Sequence, residues 1–474
     1  MKEVIMKLML LAGGLLTTGF VLADNYDFEV DGLYYNVVSL PDMTAEVARV
    51  NHSYKHDTLS IPEYVTYMGR AFQIIKIGKN AFYGDYNLIS VTIPNSVTEI
   101  GGAAFYQCKY LTSVDIPNSI TEIGNEAFYQ CENLTSVTIP NSVTEIKIGT
   151  FDGCSSLTSI TIPSNVTSIG GSAFYGCGGL TSIEIPDCVT EIGGRAFGNC
   201  RSLTSITIPK NVRSIGSQTF EDCSSLDSII IQSNTLEYSR SLTDETAFYN
   251  CPTISYVRIC SSVNTISKGF FSFITWKYKK LREVIIDNSE QVLDLGGNVF
   301  RDDSLKTIYY GRNVSNTYSF AESSSNKLRE VYIGDNVTDV YSLDLGFYKN
   351  LEILTIGKKL SEVPNMSGCS KLTTITLNSE TPPTAKGFSN VQYMTSKVYV
   401  PKGSLAAYQS ADVWKNFWNL QESETTDIDN AIMNTHTAKE LKRYDAAGRE
   451  TDSHHKGLNI IRMSDGTTKK VIVK

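Results

Sequence analysis

The residue types that most often carry chemistry are sparse in this chain and stand apart from its regular part. The five histidines are His52, His56, His436, His454 and His455. None falls within 61–420, where a motif returns every 23 residues, so neither a Ser-His-Asp nor a Cys-His relay can be assembled from the repeats. No phosphate-cradling Gly loop and no zinc-protease helix signature occurs. His52 and His56 have a spacing that two ligands on one helical turn would use, but their surroundings read as loop or strand, and His454-His455 reads as a solvated turn. Glu99, Glu122, Glu145 and Glu191 share one repeat position, interrupted by Ser168. Like charges stacked along a flank are relieved by a cation, either Ca²⁺ or a basic partner. Calcium wants several converging oxygens, so the plain reading of this column is a solvated edge. The expectation is a chain with no catalytic residue, no cofactor and no metal.

The cysteines number ten. Cys108, Cys131, Cys154, Cys177, Cys200 and Cys223 occupy one repeat column, followed by Cys251 after a longer coil. Stacked copies would lie about 5 Å apart at Cα, within reach of a disulfide, but parallel in-register side chains hold their Cβ atoms farther apart than a bridge prefers. Reduced thiols buried as small core residues are therefore expected. No histidine joins the column to make a metal ladder. Cys188, Cys260 and Cys369 lie off the pattern or at its edge.

The elements that position these residues follow from the repeat. Phe82, Phe105, Phe128, Phe151, Phe174, Phe197 and Phe220 mark its period. Leu134, Val137 and Ile139 point inward along a short strand that Pro140 ends, because proline lacks the donor to continue a ladder. Val143 and Ile146 turn back inside, and a glycine commonly follows, as at Gly101, Gly124, Gly170, Gly193 and Gly216. The remaining arc, Ala-Phe-x-x-Cys-x-x-Leu, has helical or 3₁₀ spacing and is expected to form an outer wall. The outward positions of the strand are Ser113 and Asp115, Ser136 and Thr138, Ser159 and Thr161, Ser182 and Glu184, Ser205 and Thr207. This hydroxyl-rich face is the expected ligand contact. Farther along, Tyr309, Tyr332 and Tyr399 would add aromatics to it. After Ile231 the period loosens, so loops at 232–248 and 268–280 bulge from one side, where specific binding often sits.

Residues 24–60 alternate apolar with polar around Asp31-Gly32, a hairpin signal, and are expected to cap the first coil. At the other end of the array, 61–420, Ser404 reads as a helix N-cap, with Leu405, Tyr408, Trp414 and Trp418 laid over the last coil. Residues 1–23 read as a secretory signal cleaved between Ala23 and Asp24, which leaves no transmembrane segment in the mature chain. Residues 421–435 form a polar linker, and 436–474 a small basic all-β unit. The whole chain carries 42 Lys and Arg against 50 Asp and Glu. That balance argues against nucleic acid, which wants clustered positive charge.

Leu-Thr-Ser-Val-Thr-Ile-Pro-x-x-Val-Thr-x-Ile-Gly-x-x-Ala-Phe-x-x-Cys, closed at the end of the array by Val398-Tyr-Val-Pro-Lys-Gly-Ser-Leu405, resembles the BspA-like leucine-rich repeats of bacterial surface proteins. The match covers 61–420 and weakens between Ile231 and Leu377, where the Pro column and most of the Cys column disappear. The resemblance implies an α/β repeat solenoid, a curved right-handed array of short parallel strands with an N-terminal β cap. It also implies display outside the cell as an adhesin for host matrix proteins or other bacteria. Tyr444-Asp-Ala-Ala-Gly-Arg449 and Gly457-Leu-Asn-Ile-Ile461 are similar to the C-terminal sorting domain of type IX secretion substrates, which implies export across an outer membrane. The alternative is a secreted carbohydrate-binding or scaffold module; ice binding by the Ser and Thr lattice is a more distant reading, opposed by Asp115 and Glu184. The ligand's identity and the oligomeric state stay open at this point.

Overall fold

In the computed structural model the described residues are 26–50, 57–238, 246–267, 270, 280–295, 304–315, 327–340, 343 and 345–423, with backbone alone for 440–445, 450–451, 457–463 and 468–473. The five histidines, the Ala23 and Asp24 junction and the middle of both long loops lie outside them.

Alternation along each strand decides the main ladder. Val114 and Ile116 are buried while Ser113 and Asp115 are exposed, as period-two geometry requires. The strands Thr58–Ser60, Ser90–Thr92, Ser113–Asp115, Ser136–Thr138 and Ser159–Thr161 form a five-stranded parallel sheet. After an interruption at 182–185, a ten-stranded parallel sheet runs from Ser205–Ile208 to Asn419–Glu422. Register is strict: Ser136 opposes Ser159 and Thr138 opposes Thr161. Equivalent residues of successive coils therefore line up in rows.

A second parallel ladder, not foreseen from the sequence, is built from two-residue strands such as Glu99–Ile100, Glu122–Ile123 and Glu145–Ile146. It uses the positions where the chain turns back inward. The N-terminal hairpin Phe28–Val30 and Leu33–Ser39 turns at Asp31 and Gly32, both with positive φ, and joins this second ladder through Thr44–Val47 and Arg70–Ile77. Its core is aromatic: Phe28 stacks on Tyr35 and on Tyr67.

The wall departs from the helical spacing expected. It is a chain of turns, in which alternate amides bond within the coil and to the next coil. Tyr106 N–H donates to Ala103 O at 3.2 Å, whereas Phe105 N–H donates to Ala127 O at 2.7 Å and Gln107 N–H to Tyr129 O at 2.6 Å. Left-handed backbone at Ala103 (φ 52°) and Gln107 (φ 57°) breaks any helix after one turn and re-aims these groups along the array. Among the described residues α-helix occurs only as the two short pieces Asn390–Thr395 and Leu405–Ser410.

Inside the wall, Phe82 to Phe248 form a continuous stack, with neighbouring centroids such as Phe105 and Phe128 5.2 Å apart and their planes within 3°. Fully burying each ring is worth roughly 1.5–3 kcal/mol. The stack ends at Phe270, which meets Phe248 edge-on, in the region where the repeat loosens. Beside it run the thiols. Each of Cys108, Cys131, Cys154, Cys177, Cys200 and Cys223 donates to the carbonyl of the phenylalanine 26 residues earlier. All ten cysteines are free, in keeping with the expected reduced column. Cys369 joins it, contrary to its assignment at the edge of the pattern: it is buried and donates to Leu345 O at 3.1 Å, leucine having replaced phenylalanine as its neighbour.

Exposure and ionisation make these thiols unequal. Burial pushes Cys131, Cys154, Cys177 and Cys200 well above the usual thiol range, and Cys260 up to about 12 with help from the Asp287 charge. Cys188 is exposed. A maleimide applied to the folded protein should modify Cys188 rapidly and leave the column untouched, read by peptide mass spectrometry. Labelling of Cys154 as fast as Cys188 would contradict this packing.

In the looser half, Arg312 is wholly buried and donates to Ser261 O at 3.1 Å and to Cys260 O at 2.8 Å. It ties together coils that lack the Pro and Phe columns. At the C-terminal end, Tyr408 and Trp414 are buried and bond to Ser379 O and Pro383 O, both at 2.7 Å. Two expectations fail there. Ser404 does not cap the helix, since its hydroxyl donates back to Pro401 O at 2.6 Å. Trp418 faces solvent instead of covering the last coil, which Asn419–Glu422 extends as a further parallel strand. The backbone of 440–445, 450–451, 457–463 and 468–473 forms a four-stranded antiparallel sheet.

Candidate binding face

The row of outward residues along the main ladder divides into two contrasting parts. In the first, Ser113, Asp115, Ser136, Thr138, Ser159, Thr161 and Glu184 are exposed, and Ser182, Ser205 and Thr207 are half-buried. Among the described residues none of the hydroxyls of Ser113, Ser136, Thr138, Ser159 and Thr161 has a hydrogen-bond partner, and the carboxylates of Asp115 and Glu184 have no ion pair. The threonines on the flanks behave differently. Thr112, Thr121, Thr135, Thr167 and Thr190 spend their hydroxyls on a carbonyl of the preceding coil at 3.1–3.4 Å. The flank hydroxyls hold coils together, whereas those on the ladder face remain available to a partner.

In the second part the same row closes over. Ile230, Ile285 and Tyr309 are buried, which corrects the expected exposure of Tyr309. In register, Ile285 opposes Tyr309 and Tyr309 opposes Tyr332, so large side chains one strand spacing apart cover one another. Tyr332 is half-buried, with its hydroxyl donating to a Glu330 oxygen at 3.2 Å; burial, then the Glu330 charge, pushes its pKa up to about 12. Arg258 grips Asp287 with two parallel bonds, Nε to Oδ1 at 3.0 Å and Nη2 to Oδ2 at 3.2 Å. This fork was missed in the sequence because its members come from different coils and different columns.

Two of the four glutamates of the column, Glu99 and Glu122, are relieved from within, while Glu145 and Glu191 have no ion pair among the described residues. Lys76 pairs with Glu99 at 2.7 Å, and Lys147 pairs with Glu122. Among the described residues no cluster of three or more His, Cys, Asp or Glu is arranged to hold a metal, and no helix is long and apolar enough to cross a membrane.

Stacked parallel strands, aligned rows and a hydroxyl-bearing face define a leucine-rich repeat β-solenoid. The chain belongs to the BspA type leucine-rich repeat region family, whose model matches over 75–201, 146–277, 191–325 and 274–395. Similar solved structures include a leucine-rich cell surface protein from Faecalibacterium prausnitzii (24% identity, covering 87% of this chain and 98% of that one, TM-score 0.44). A leucine-rich repeat protein from Bacteroides ovatus is similar at 25% identity (84% and 100% covered, TM-score 0.39). The pneumococcal vaccine antigen PcpA is similar at 17% identity (84% and 97%, TM-score 0.33). Comparison with curated proteins returns no match. The family is one of leucine-rich repeat proteins, generally scaffolds without enzymatic activity, which is consistent with a binding role.

Proposed function

We propose that the protein is an extracellular adhesin whose ladder face from Ser113 to Thr207 docks a protein of the host matrix or of another bacterial surface. The observation that carries this reading is the set of unpartnered hydroxyls on that face, next to flanks where Thr112, Thr121, Thr135, Thr167 and Thr190 bond theirs to the preceding coil. Asp115 and Glu184 are the charged groups of the two rows in this stretch, so the partner surface should be basic. In the same reading, 1–23 is a cleaved leader and 436–474 directs export; deleting 436–474 should then abolish surface display.

Direct binding to immobilised host matrix proteins and to bacterial cells tests the assignment. Replacing Ser136→Arg together with Thr138→Arg should weaken the retained interaction at least about tenfold, or about 1.4 kcal/mol, while leaving the exposed face folded. Affinity should also fall as salt rises, because exposed charges are screened within about 10 Å at 0.1 M. Undiminished binding by the double variant would reject this face.

A further inference from the structure

A groove of about 640 Å³ opens where the wall meets the first strands, lined by Asp57, Tyr86, Ile89, Tyr110, Thr112 and Asn133 among others. That volume lies within the roughly 300–1,000 Å³ typical of ligand pockets. It sits beside the ladder face, since Thr112 immediately precedes the strand Ser113–Asp115.

Its tyrosines differ from their neighbours on the wall. Tyr83, Tyr106 and Tyr129 occupy one column and stack on each other, with centroids 4.6 and 4.4 Å apart. Tyr86 and Tyr110 belong to different columns and stack on no ring among the described residues. They remain 48% and 56% exposed, and Ile89 between them is 42% exposed. Tyr86, Ile89 and Tyr110 thus leave three large, mainly apolar side chains in water in one concavity.

The polar groups narrow the occupant. Asp57 has no ion pair and the Asn133 amide no side-chain hydrogen bond among the described residues, so a carboxylate and an amide flank the rings. Lys109, near both phenols, is held by Glu132 at 2.8 Å. With Lys109 engaged and Asp57 present, the described lining of the groove disfavours an anionic ligand. The backbone offers little to a peptide: Ile89 N–H and Ser90 N–H both donate to Asp57 O, Thr112 N–H to Ile89 O, and Asn133 N–H to Lys109 O. These four amides are already paired and give an extended peptide lying in the groove nothing to bond. What is left suits a neutral ligand with apolar C–H faces and hydroxyls.

We propose that this groove binds a neutral oligosaccharide, its sugar faces resting on Tyr86 and Tyr110 and its hydroxyls bonded by Asp57 and Asn133. The site is independent of the protein-docking face. Calorimetric titration of the full chain with cellohexaose, maltohexaose, mannohexaose and chitohexaose tests it. At least one should bind, Tyr110→Ala and Tyr86→Ala should each weaken that binding at least about tenfold, and Tyr110→Phe should retain it. Asn133→Ala, which leaves both rings in place, should also weaken it; Ser136→Arg with Thr138→Arg should not. No heat with any of the four sugars overturns the proposal, as does wild-type affinity in both tyrosine-to-alanine variants with circular dichroism unchanged. Binding of an extended peptide in place of all four sugars would overturn it too.

Discussion

Above pH 9 the protein is expected to lose stability steeply, and the thiol column is the reason. A cysteine in the unfolded chain ionises near 9.0, whereas burial holds Cys131, Cys154, Cys177 and Cys200 protonated to much higher pH in the fold. Below 9 both states keep the proton and stability is independent of these groups. Above 9 the unfolded chain releases protons that the folded chain retains, so stability falls as pH rises, until the folded thiols ionise as well. Each group contributes about 1.4 kcal/mol per pH unit, and the four together about 5 kcal/mol per unit where their coils unfold as one. Urea unfolding at pH 7.5, 9 and 10.5 should therefore show a plateau followed by a sharp decline. The variant with all four changed to alanine should start less stable and decline less. An equal alkaline decline in both proteins would assign the effect to other groups.

The second large effect is steric. A Cβ placed on Gly216 would lie 2.2 Å from Gly194 N, 2.6 Å from Gly194 Cα and 2.7 Å from Gly193 C. Every one of these is a backbone atom, so no rotamer can relieve the clash; the coils must separate. Gly216→Ala should cost about 3 kcal/mol or more, at or beyond the upper end of ordinary overpacking. The loss should centre on the neighbouring coils, seen as faster hydrogen exchange of the amides around Ile192 and Ile215. Gly178→Ala, whose new Cβ would find nothing nearer than 4.0 Å, serves as the control and should be close to neutral. Equal behaviour of the two variants would show that coil spacing is not set by this glycine contact.

These effects trace to columns that can be read directly from the sequence. Phe151, Cys154, Leu134 and Ile139 recur at one spacing, and recurrence alone places them inside a stack. The outward hydroxyls of Ser136 and Thr138 follow from alternation along the same strand. Harder to read was the wall, because residues three and four apart face the same way in a helix and in a succession of tight turns. The difference lies in the left-handed backbone of Ala103 and Gln107, residue types that do not announce it. Tyr309 was misplaced for another reason: alternation gives the side of a strand but not the size of the neighbours, and Ile285 and Tyr332 cover it. Cys369 escaped notice because Leu345 stands where a phenylalanine would have marked the column. The Tyr86 and Tyr110 groove joins different columns, and only the folded coil spacing brings them together.

In the proposed function the main ladder, and neither the wall nor the flank, meets the protein ligand. Photo-crosslinking tests it most directly, with benzoylphenylalanine placed in turn at Thr138 on the ladder face, Tyr129 on the wall and Thr144 near the second ladder. The expected result is a crosslink to the ligand from position 138 alone. Crosslinks from 129 or 144, with none from 138, would contradict it.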